Sequence, residues 1–197
     1  MAGRLTLGLY NCYDPKQWHD IMRITLARAA PVAEAFGCHL ATFGFPYEQA
    51  RARGAKQHLQ GLDTPLDVAR FVAGSTSIGE GAEHLDALAR SGRFQTFPFP
   101  GPAGFPVALG EAVATTPHPD IAKRLAPHDV AKELAAGQSQ LLLFGLGPRG
   151  LPAEVLDGAR HHLELTGKGI SFETATALGA LPAMVHTHLL HLTGGAG

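Results

Sequence analysis

The chain has 197 residues, 45% of them apolar and 17% charged, and its formal net charge is −1. This length fits a single domain with a sizeable buried core, and the composition excludes wholesale disorder. The near-neutral balance also excludes a strongly basic overall field, so a surface for nucleic acid would have to be local or be built by oligomerisation.

Apolar runs and cysteines indicate the compartment. No apolar run reaches the roughly 18 residues of a transmembrane helix, and the N-terminus begins with an alternating strand pattern in place of a signal peptide. The two cysteines, Cys12 and Cys38, cannot form a disulfide framework. We therefore expect a cytoplasmic protein with two free thiols and no membrane association.

The N-terminal part of the chain has the pattern of a β-α-β unit. Residues 5–10 alternate as in a strand, and residues 38–43 form a second short strand. Between them, apolar residues recur at helical spacing from Trp18 to Phe36, and Gly37 ends the helix. This order predicts two parallel strands joined by a right-handed crossover.

The central segment, 47–105, is more polar at its start. Residues 47–62 carry Arg51, Arg53 and Lys56, which form either a stripe that faces RNA or an ordinary solvated face. The elements predicted after them are a helix at 65–72, a glycine-rich turn at 77–81, a helix at 82–90, a strand at 93–97 and a rigid Pro/Gly loop at 98–106.

The C-terminal part again alternates between strands and helices. Strands are predicted at 112–116, 140–144 and 161–165, and helices at 120–136 (broken near Pro127), at about 153–159, from the Ser171 cap through Gly179, and from Pro182 to about Leu192. This alternation predicts an α/β fold with a mainly parallel sheet and helices on both faces.

Small or polar residues follow four of the predicted strands. They lie at 11–12, 115–117, 145–150 and 166–171. In open parallel sheets, ligands bind beyond the carboxyl ends of the strands. We therefore expect the functional site where these four segments meet.

The first glycine-rich segment allows two interpretations. Gly145, Gly147 and Gly150 match G-x-G-x-x-G after a strand, and Glu164 lies about 20 residues on, where a dinucleotide fold places an acid for a ribose hydroxyl. However, Pro148 removes an N–H from the turn that would face a pyrophosphate. The alternative is a glycine-rich turn without a ligand.

The second segment joins two glycines to a helix with small side chains. Gly167 and Gly169 allow the backbone to pass close to another group, and the helix begins with small residues from Ala175 to Ala180. It is either a tight strand–helix corner or a pocket wall of main-chain amides. A wall of that kind suits an adenine edge and a ribose better than a charge.

These two segments, FGLGPRGLP and LTGKGISFETATALGA, resemble the two C-terminal motifs of the SPOUT (SpoU/TrmD) class of S-adenosylmethionine-dependent RNA methyltransferases. The strand end Thr115-Thr116-Pro117 resembles the earliest cofactor-loop motif of that class. The segments LTLGLYN, ARAAPVAEAFG and LATFGFP also resemble an archaeal SPOUT-like family of unassigned function, along most of the chain. We interpret 1–197 as one SPOUT-like domain, with 47–105 as a candidate family-specific insertion.

The resemblance implies a C-terminal trefoil knot, a homodimer with the site near its interface, and S-adenosylmethionine bent into the knot. The residues that it implies for cofactor binding are Thr115, Thr116, Pro117, Gly145, Leu146, Gly147, Gly150, Leu165, Gly167, Gly169, Ile170 and Ser171. Arg149 and Lys168 are placed to touch a phosphate or the methionine carboxylate, or are solvated loop charges.

Three residues are candidates for catalysis. Glu173 is a candidate base, with an acid that favours the helix dipole as the alternative. Asn11, with Asp14, could orient a nucleotide or simply form a turn. Arg28 precedes Phe36-Gly37 at a longer spacing than the corresponding arginine of SpoU-type enzymes, which also tend to have Asn where this chain has Glu173.

For the histidines near the C-terminus and for Cys12, the sequence favours structural roles over metal binding or catalysis. His188 and His191 share a helix face but have no cysteine nearby, so we expect no metal site. Cys12 is read as a buried thiol and not as a nucleophile. The predicted function is methyl transfer from S-adenosylmethionine to tRNA or rRNA; the alternatives are an inactive SPOUT-like scaffold and, less favoured, a dinucleotide-binding enzyme.

Overall fold

The computed structural model describes residues 2–54, 62, 64–75, 81–101 and 104–195. Within these residues the strands are β1 (Leu5–Asn11), β2 (His39–Phe43), β3 (Phe94–Phe97), β4 (Glu111–Thr115), β5 (Arg124–Leu125), β6 (Gln140–Leu146) and β7 (His161–Leu163). The α-helices are α1 (Asp20–Ala35), α2 (Tyr47–Gly54), α3 (Pro65–Ser75), α4 (Gly81–Arg90), α5 (Pro127–Ala135), α6 (Ala153–Gly158) and α7 (Thr174–Thr193).

The strands form one seven-stranded sheet in the order β3-β2-β1-β6-β4-β7-β5. Every neighbouring pair is parallel, so the predicted parallel α/β sheet is confirmed. The longest ladder joins β1 to β6, from Leu5 opposite Gln140 to Asn11 opposite Leu146. Because β6, β4 and β7 are neighbours, the loops that follow them meet at one edge of the sheet.

Apolar side chains cover both faces of the sheet, but unequally. Leu142 and Phe144 point into a large core beneath α1, α3, α4, α5 and α7, whereas Leu141 and Leu143 point into a smaller core. That second core is closed by α6, through Val155, and by the chain before β4. A strand buried on both faces needs a continuous apolar run, which is what β6 has.

Helix α7 corrects two predictions. The sequence predicted a helix capped by Ser171 and a second helix from Pro182, but one helix runs from Thr174 to Thr193, and its N-cap residue is Glu173. Pro182 cannot donate to the carbonyl of Leu178, yet it is buried in the helix. The helix packs against α5 and α1, and tertiary packing of this kind outweighs local propensity, so the helix continues through the proline.

The segment 120–136 is not one broken helix, as the sequence had indicated. It is a 3-10 turn at Ile121–Lys123, the short strand β5, and then α5 from Pro127. The strand forms because Arg124 and Leu125 pair with His162 and Leu163 at the sheet edge. Such pairing between distant segments leaves no local periodicity to read.

The segment 47–105 adds α2, α3, α4 and β3, and β3 pairs directly with β2 in the common sheet. Arg51 and Arg53 lie on α2, but their side chains are outside the described part of the chain, as are Lys56 and most of the turn predicted at 77–81. Among the described residues, no helix combines the length and apolar character that crossing a membrane requires.

Candidate cofactor site at the carboxyl edge of the sheet

Three loops converge where β4, β6 and β7 end. They enclose a narrow cavity of about 100 Å³, here called the inner cavity. Its walls come from Thr115–Pro117 after β4, from the turn that includes Gly145 and Gly150 after β6, and from the chain between Leu163 and Thr174. Ala177 and Leu181 of α7 close its base. The strand order alone explains this meeting, because the three loops follow neighbouring strands.

A wider cavity of about 470 Å³, the outer cavity, adjoins the inner one. The two share residues of all three loops, namely Pro117, Gly145, Gly150, Ser171, Phe172 and Thr174. The outer cavity adds Tyr13 and Ile21 from the segment between β1 and α1, together with the charged Arg149 and Glu173. The site therefore has a small, mainly uncharged part and a larger part that carries charge and aromatic rings.

The glycines after β6 are required by close packing of the backbone. A Cβ atom on Gly145 would lie 2.5 Å from the carbonyl carbon of Gly150, and one on Gly147 would lie 2.8 Å from the Cβ of Cys12. Both distances are shorter than real Cβ contacts, so a side chain at either position would displace the turn. The G-x-G-x-x-G pattern thus has a structural reason that involves no ligand.

Two threonine hydroxyls tie the converging segments together. Thr174 Oγ1 donates to the Gly145 carbonyl at 2.8 Å and joins the start of α7 to the end of β6. Thr115 Oγ1 donates to the Leu143 carbonyl at 2.7 Å and joins the end of β4 to β6. These bonds hold the walls of the inner cavity in place.

Glu164 organises the loop after β7. Its side chain is 2% exposed and accepts hydrogen bonds from the Thr166 N–H (3.0 Å), the Thr166 hydroxyl (2.7 Å) and the Gly167 N–H. Arg124 adds an ion pair at 3.8 Å. Burial alone would raise the pKa of Glu164, but the hydrogen bonds from Thr166 and Gly167 and the charge of Arg124 lower it. The carboxylate therefore stays ionised at neutral pH.

The sequence did not predict that Glu164 would organise the loop after β7. The sequence pattern suggested Glu164 only as an acid for a ribose hydroxyl, whereas in the structure its carboxylate accepts hydrogen bonds from Thr166 and Gly167 of its own loop. The order Glu164-Leu165-Thr166-Gly167 was the available signal, because an acid two or three residues before Thr-Gly can accept their backbone N–H groups.

The predicted cofactor-binding residues come together in space. All of them line the inner or the outer cavity except Gly167 and Gly169. The Gly167 N–H is used by Glu164, and a Cβ on Gly169 would lie 3.5 Å from the Pro117 carbonyl oxygen. These two glycines belong to the loop after β7 but do not line either cavity. Their contact with a cofactor stays a prediction.

The three predicted catalytic residues separate. Glu173 lines the outer cavity, and its side chain makes no capping hydrogen bond. Asn11 is buried away from both cavities: its Nδ2 donates to the Gly44 carbonyl and its Oδ1 accepts from the Tyr13 N–H, each at 2.9 Å. Arg28 is exposed on α1 and lines neither cavity. Within one chain, only Glu173 is placed to meet a bound reactant.

Of the other charged residues considered for the site, one lines the outer cavity and two do not. Arg149 lines the outer cavity, is exposed, and has no ion pair or hydrogen bond from its side chain within the described residues. Lys168 is exposed and lines neither cavity. Asp14 accepts a hydrogen bond from the Lys16 N–H at 2.8 Å, as an ordinary turn residue does.

Neither cysteine is activated as a nucleophile. Burial raises the pKa of Cys12 to about 11 and that of Cys38 to about 12. Among the histidines, the rings of His128 and His188 meet at 5.2 Å between α5 and α7. The described part of the chain contains no group of three side chains able to hold a metal ion.

The fold is shared with solved structures of other proteins. The chain superposes on a TrmH/SpoU tRNA-modifying enzyme from A. aeolicus with a TM-score of 0.53, at 13% identity, covering 98% of this chain and 80% of the other. It superposes on an AdoMet-bound rRNA methyltransferase from Sinorhizobium meliloti with a TM-score of 0.54, at 18% identity, over 96% of this chain and 58% of the other. The molecule therefore has the SPOUT fold predicted from its motifs.

The chain itself belongs to the family described as "Protein of unknown function (DUF531)", whose model matches residues 5–186. The chain is also similar to the uncharacterized protein MJ0224 of Methanocaldococcus jannaschii. The two sequences are 32% identical over 189 residues, which are 96% of this chain and 97% of the other. The predicted resemblance to a SPOUT-like family of unassigned function is confirmed.

Proposed function

We propose that the protein is an S-adenosylmethionine-dependent methyltransferase that acts on RNA, either tRNA or rRNA. One observation carries the proposal: the three segments that resemble the cofactor motifs, 115–117, 145–150 and 165–171, wall one pocket at the carboxyl edge of the sheet. Ligands of parallel sheets bind at this edge. The structural neighbours named above are RNA-modifying enzymes, one of them AdoMet-bound, which supports the same reaction class.

The residues of the pocket fit this cofactor. The inner cavity, about 100 Å³, is smaller than the ~300–1,000 Å³ of typical ligand pockets, but the adjoining outer cavity adds about 470 Å³. The walls offer main-chain groups and the hydroxyls of Thr116 and Ser171. The one carboxylate there, Glu164, is committed to its own loop. This lining suits an uncharged adenosine, and Arg149 would hold the methionine carboxylate.

The mechanism needs little acid–base chemistry from the protein. When bound, S-adenosylmethionine supplies a methyl group on a sulfonium sulfur. The rigid walls, held by Thr174 and Thr115, orient the reactants in line and exclude water. Where the acceptor atom carries a proton, Glu173 accepts it at a carboxylate oxygen on the side of the outer cavity.

We also propose that the C-terminal part of the chain forms a trefoil knot, that the protein is a homodimer, and that it works in the cytoplasm. A knot is supported by the route of the chain, because after β7 it returns to the end of β6, where Thr174 bonds Gly145. A dimer is supported by Met184, Leu190 and Leu192, large apolar side chains that remain exposed on α7. Free thiols at Cys12 and Cys38 are consistent with a reducing compartment.

Calorimetric titration of S-adenosylhomocysteine into refolded, ligand-free protein tests the proposal. We expect saturable binding that Gly169→Val loses, because Gly169 has φ +68°, a conformation that valine resists. Circular dichroism of the variant checks that it has folded. Parallel titration with NAD should show no binding, because Glu164 is not available to a ribose hydroxyl.

A folded protein that binds no S-adenosylhomocysteine would contradict the proposal and favour the inactive scaffold. The positions of Asn11 and Arg28, outside both cavities, are the observation that keeps this second candidate open. The two candidates also differ in a direct assay. Only the enzyme transfers labelled methyl groups to RNA, and Glu173→Gln should slow that transfer where the acceptor carries a proton.

A further inference from the structure

We propose that the outer cavity binds a single unpaired base of the acceptor RNA, with the ring of Tyr13 as its stacking platform. This inference rests on the proposed function, because it names the part of the site that would receive the acceptor. Its central residue, Tyr13, lies in the turn between β1 and α1, outside the segments that resemble family motifs.

The ring of Tyr13 is held in place before any ligand arrives. It stacks on the ring of His19, with centroids 4.6 Å apart and planes 30° apart. The Tyr13 N–H donates to Asn11 Oδ1, and Asn11 is itself anchored to the Gly44 carbonyl. Asn11, a candidate for catalysis from its sequence position, thus acts as a positioning residue for Tyr13.

The partner ring supports Tyr13 by stacking alone. His19 Nε2 is buried and has no hydrogen-bond partner within the described residues. His19 therefore contributes a ring face at this point. Offset stacking of this kind fixes an aromatic side chain and reduces the entropy that a ligand would otherwise have to overcome.

A second aromatic ring lies at the same cavity. Phe172 lines both the inner and the outer cavity, and 40% of it remains exposed. Large apolar side chains left open at a concave site mark ligand or partner surfaces. Together with Tyr13 and Ile21, Phe172 gives the outer cavity an apolar part of its lining, beside the charges of Arg149 and Glu173.

A flat heteroaromatic ring matches this lining better than a phosphate or an aliphatic chain does. Proteins recognise single-stranded RNA by stacking splayed-out bases on aromatic side chains. In a duplex the faces of a base are covered by its neighbours, so a base that enters a closed cavity must first leave the stack. The geometry therefore favours an acceptor in a loop or a single-stranded segment.

Fluorescence anisotropy with labelled RNA tests this assignment in the absence of cofactor. The probes are a fluorescein-labelled single-stranded RNA of mixed sequence and the same strand annealed to its complement. We expect the wild type to prefer the single strand. Tyr13→Ala should weaken that binding by roughly tenfold or more, the effect of losing one base–aromatic stack. Tyr13→Phe keeps the ring and should retain the wild-type affinity.

Titration of S-adenosylhomocysteine into the same variants separates a platform from a merely structural role. Tyr13→Ala should still bind it, because the proposed cofactor contacts are the three loops and Arg149 and do not include Tyr13; loss of both ligands would overturn the inference. Equal binding of Tyr13→Ala and wild type to the single strand, or equal binding of strand and duplex, would also overturn it. If the wild type binds RNA through Tyr13 but binds no S-adenosylhomocysteine, the proposed function fails while the base site stands.

Discussion

Two cavities of nearly equal volume lie at opposite ends of the same strands. The outer cavity, about 470 Å³, lies beyond the carboxyl ends of β4, β6 and β7. The other, about 440 Å³ and here called the amino-end cavity, lies where these strands begin. Its lining residues include Phe105, Val107, Glu111, Ser139 and Gly158. Volume therefore does not distinguish a functional site from a gap between loops.

The chemistry of the linings does distinguish them. At the amino-end cavity, the one carboxylate, Glu111, is paired with Arg160 at 2.9 Å. At the outer cavity, neither Glu173 nor Arg149 has a side-chain partner within the described residues, so both are free to meet a ligand. Chain segments beside β4, β6 and β7 converge at both ends, so unpaired charge is the difference between the two linings, and the following experiments test it.

The largest expected effect comes from one methyl group at the carboxyl edge. In Gly145→Ala the new Cβ would lie 2.5 Å from the Gly150 carbonyl carbon, and backbone cannot move aside as a flexible side chain can. We expect a loss of ~1–3 kcal/mol in the free energy of unfolding, as for overpacked cores, together with loss of S-adenosylhomocysteine binding.

The matched control for Gly145→Ala lies at the amino-end cavity. Gly158→Ala places its Cβ in open space, so both stability and binding should be retained. Urea unfolding and calorimetry measure the two quantities. Equal behaviour of the two variants would show that the close approach of Gly145 to Gly150 does not shape the site.

The second expected effect is a difference in stability between variants of two carboxylates, Glu164 at the carboxyl edge and Glu111 at the amino-end cavity. Glu164→Ala removes a buried carboxylate and the part-buried hydrogen bonds that it accepts from Thr166 and Gly167, and should cost ~1–3 kcal/mol. Glu111→Ala breaks only the ion pair with Arg160, whose side chain is 72% exposed, and should cost ~0–1 kcal/mol. Denaturant titration compares the two; a larger loss for Glu111→Ala would reverse the proposed roles.

The smallest effect is the pH dependence of stability that Glu164 causes. Hydrogen bonds and Arg124 lower its pKa in the folded state, so the stabilisation is present above the pKa of the unfolded state, about 4.3. It is lost as the pH falls through the lower, folded-state value. The wild type should therefore lose more stability on acidification than Glu164→Gln, which has no proton to bind there. Parallel curves for the two proteins between about pH 7 and pH 3 would contradict this.

Local patterns predicted the central strands and the first helix well. The alternation of residues 5–10 and the apolar run at 140–144 lie in β1 and β6, and the stripe from Trp18 to Phe36 became α1 at Asp20–Ala35. These elements bury their apolar residues in the core, so their pattern follows directly from burial.

The errors fell where distant contacts outweigh local signals. Pro182 predicted a helix start but is buried inside α7, a helix that packs against α5 and α1. The strand β5 exists only through its pairing with β7. The catalytic candidates show the same limit: Asn11 and Arg28 have suitable side chains, yet neither lines the inner or the outer cavity.

Sequence alone determined which segments are strands and helices in the core, and which loops carry the cofactor-like motifs. Both are local properties, set by residue spacing and by glycines such as Gly145 and Gly147. Tertiary structure alone decided that Thr174 bonds the Gly145 carbonyl, that Asn11 is anchored to Gly44, and that the ring of Tyr13 lines the outer cavity. These depend on strand order and packing, which bring together residues that lie far apart in sequence.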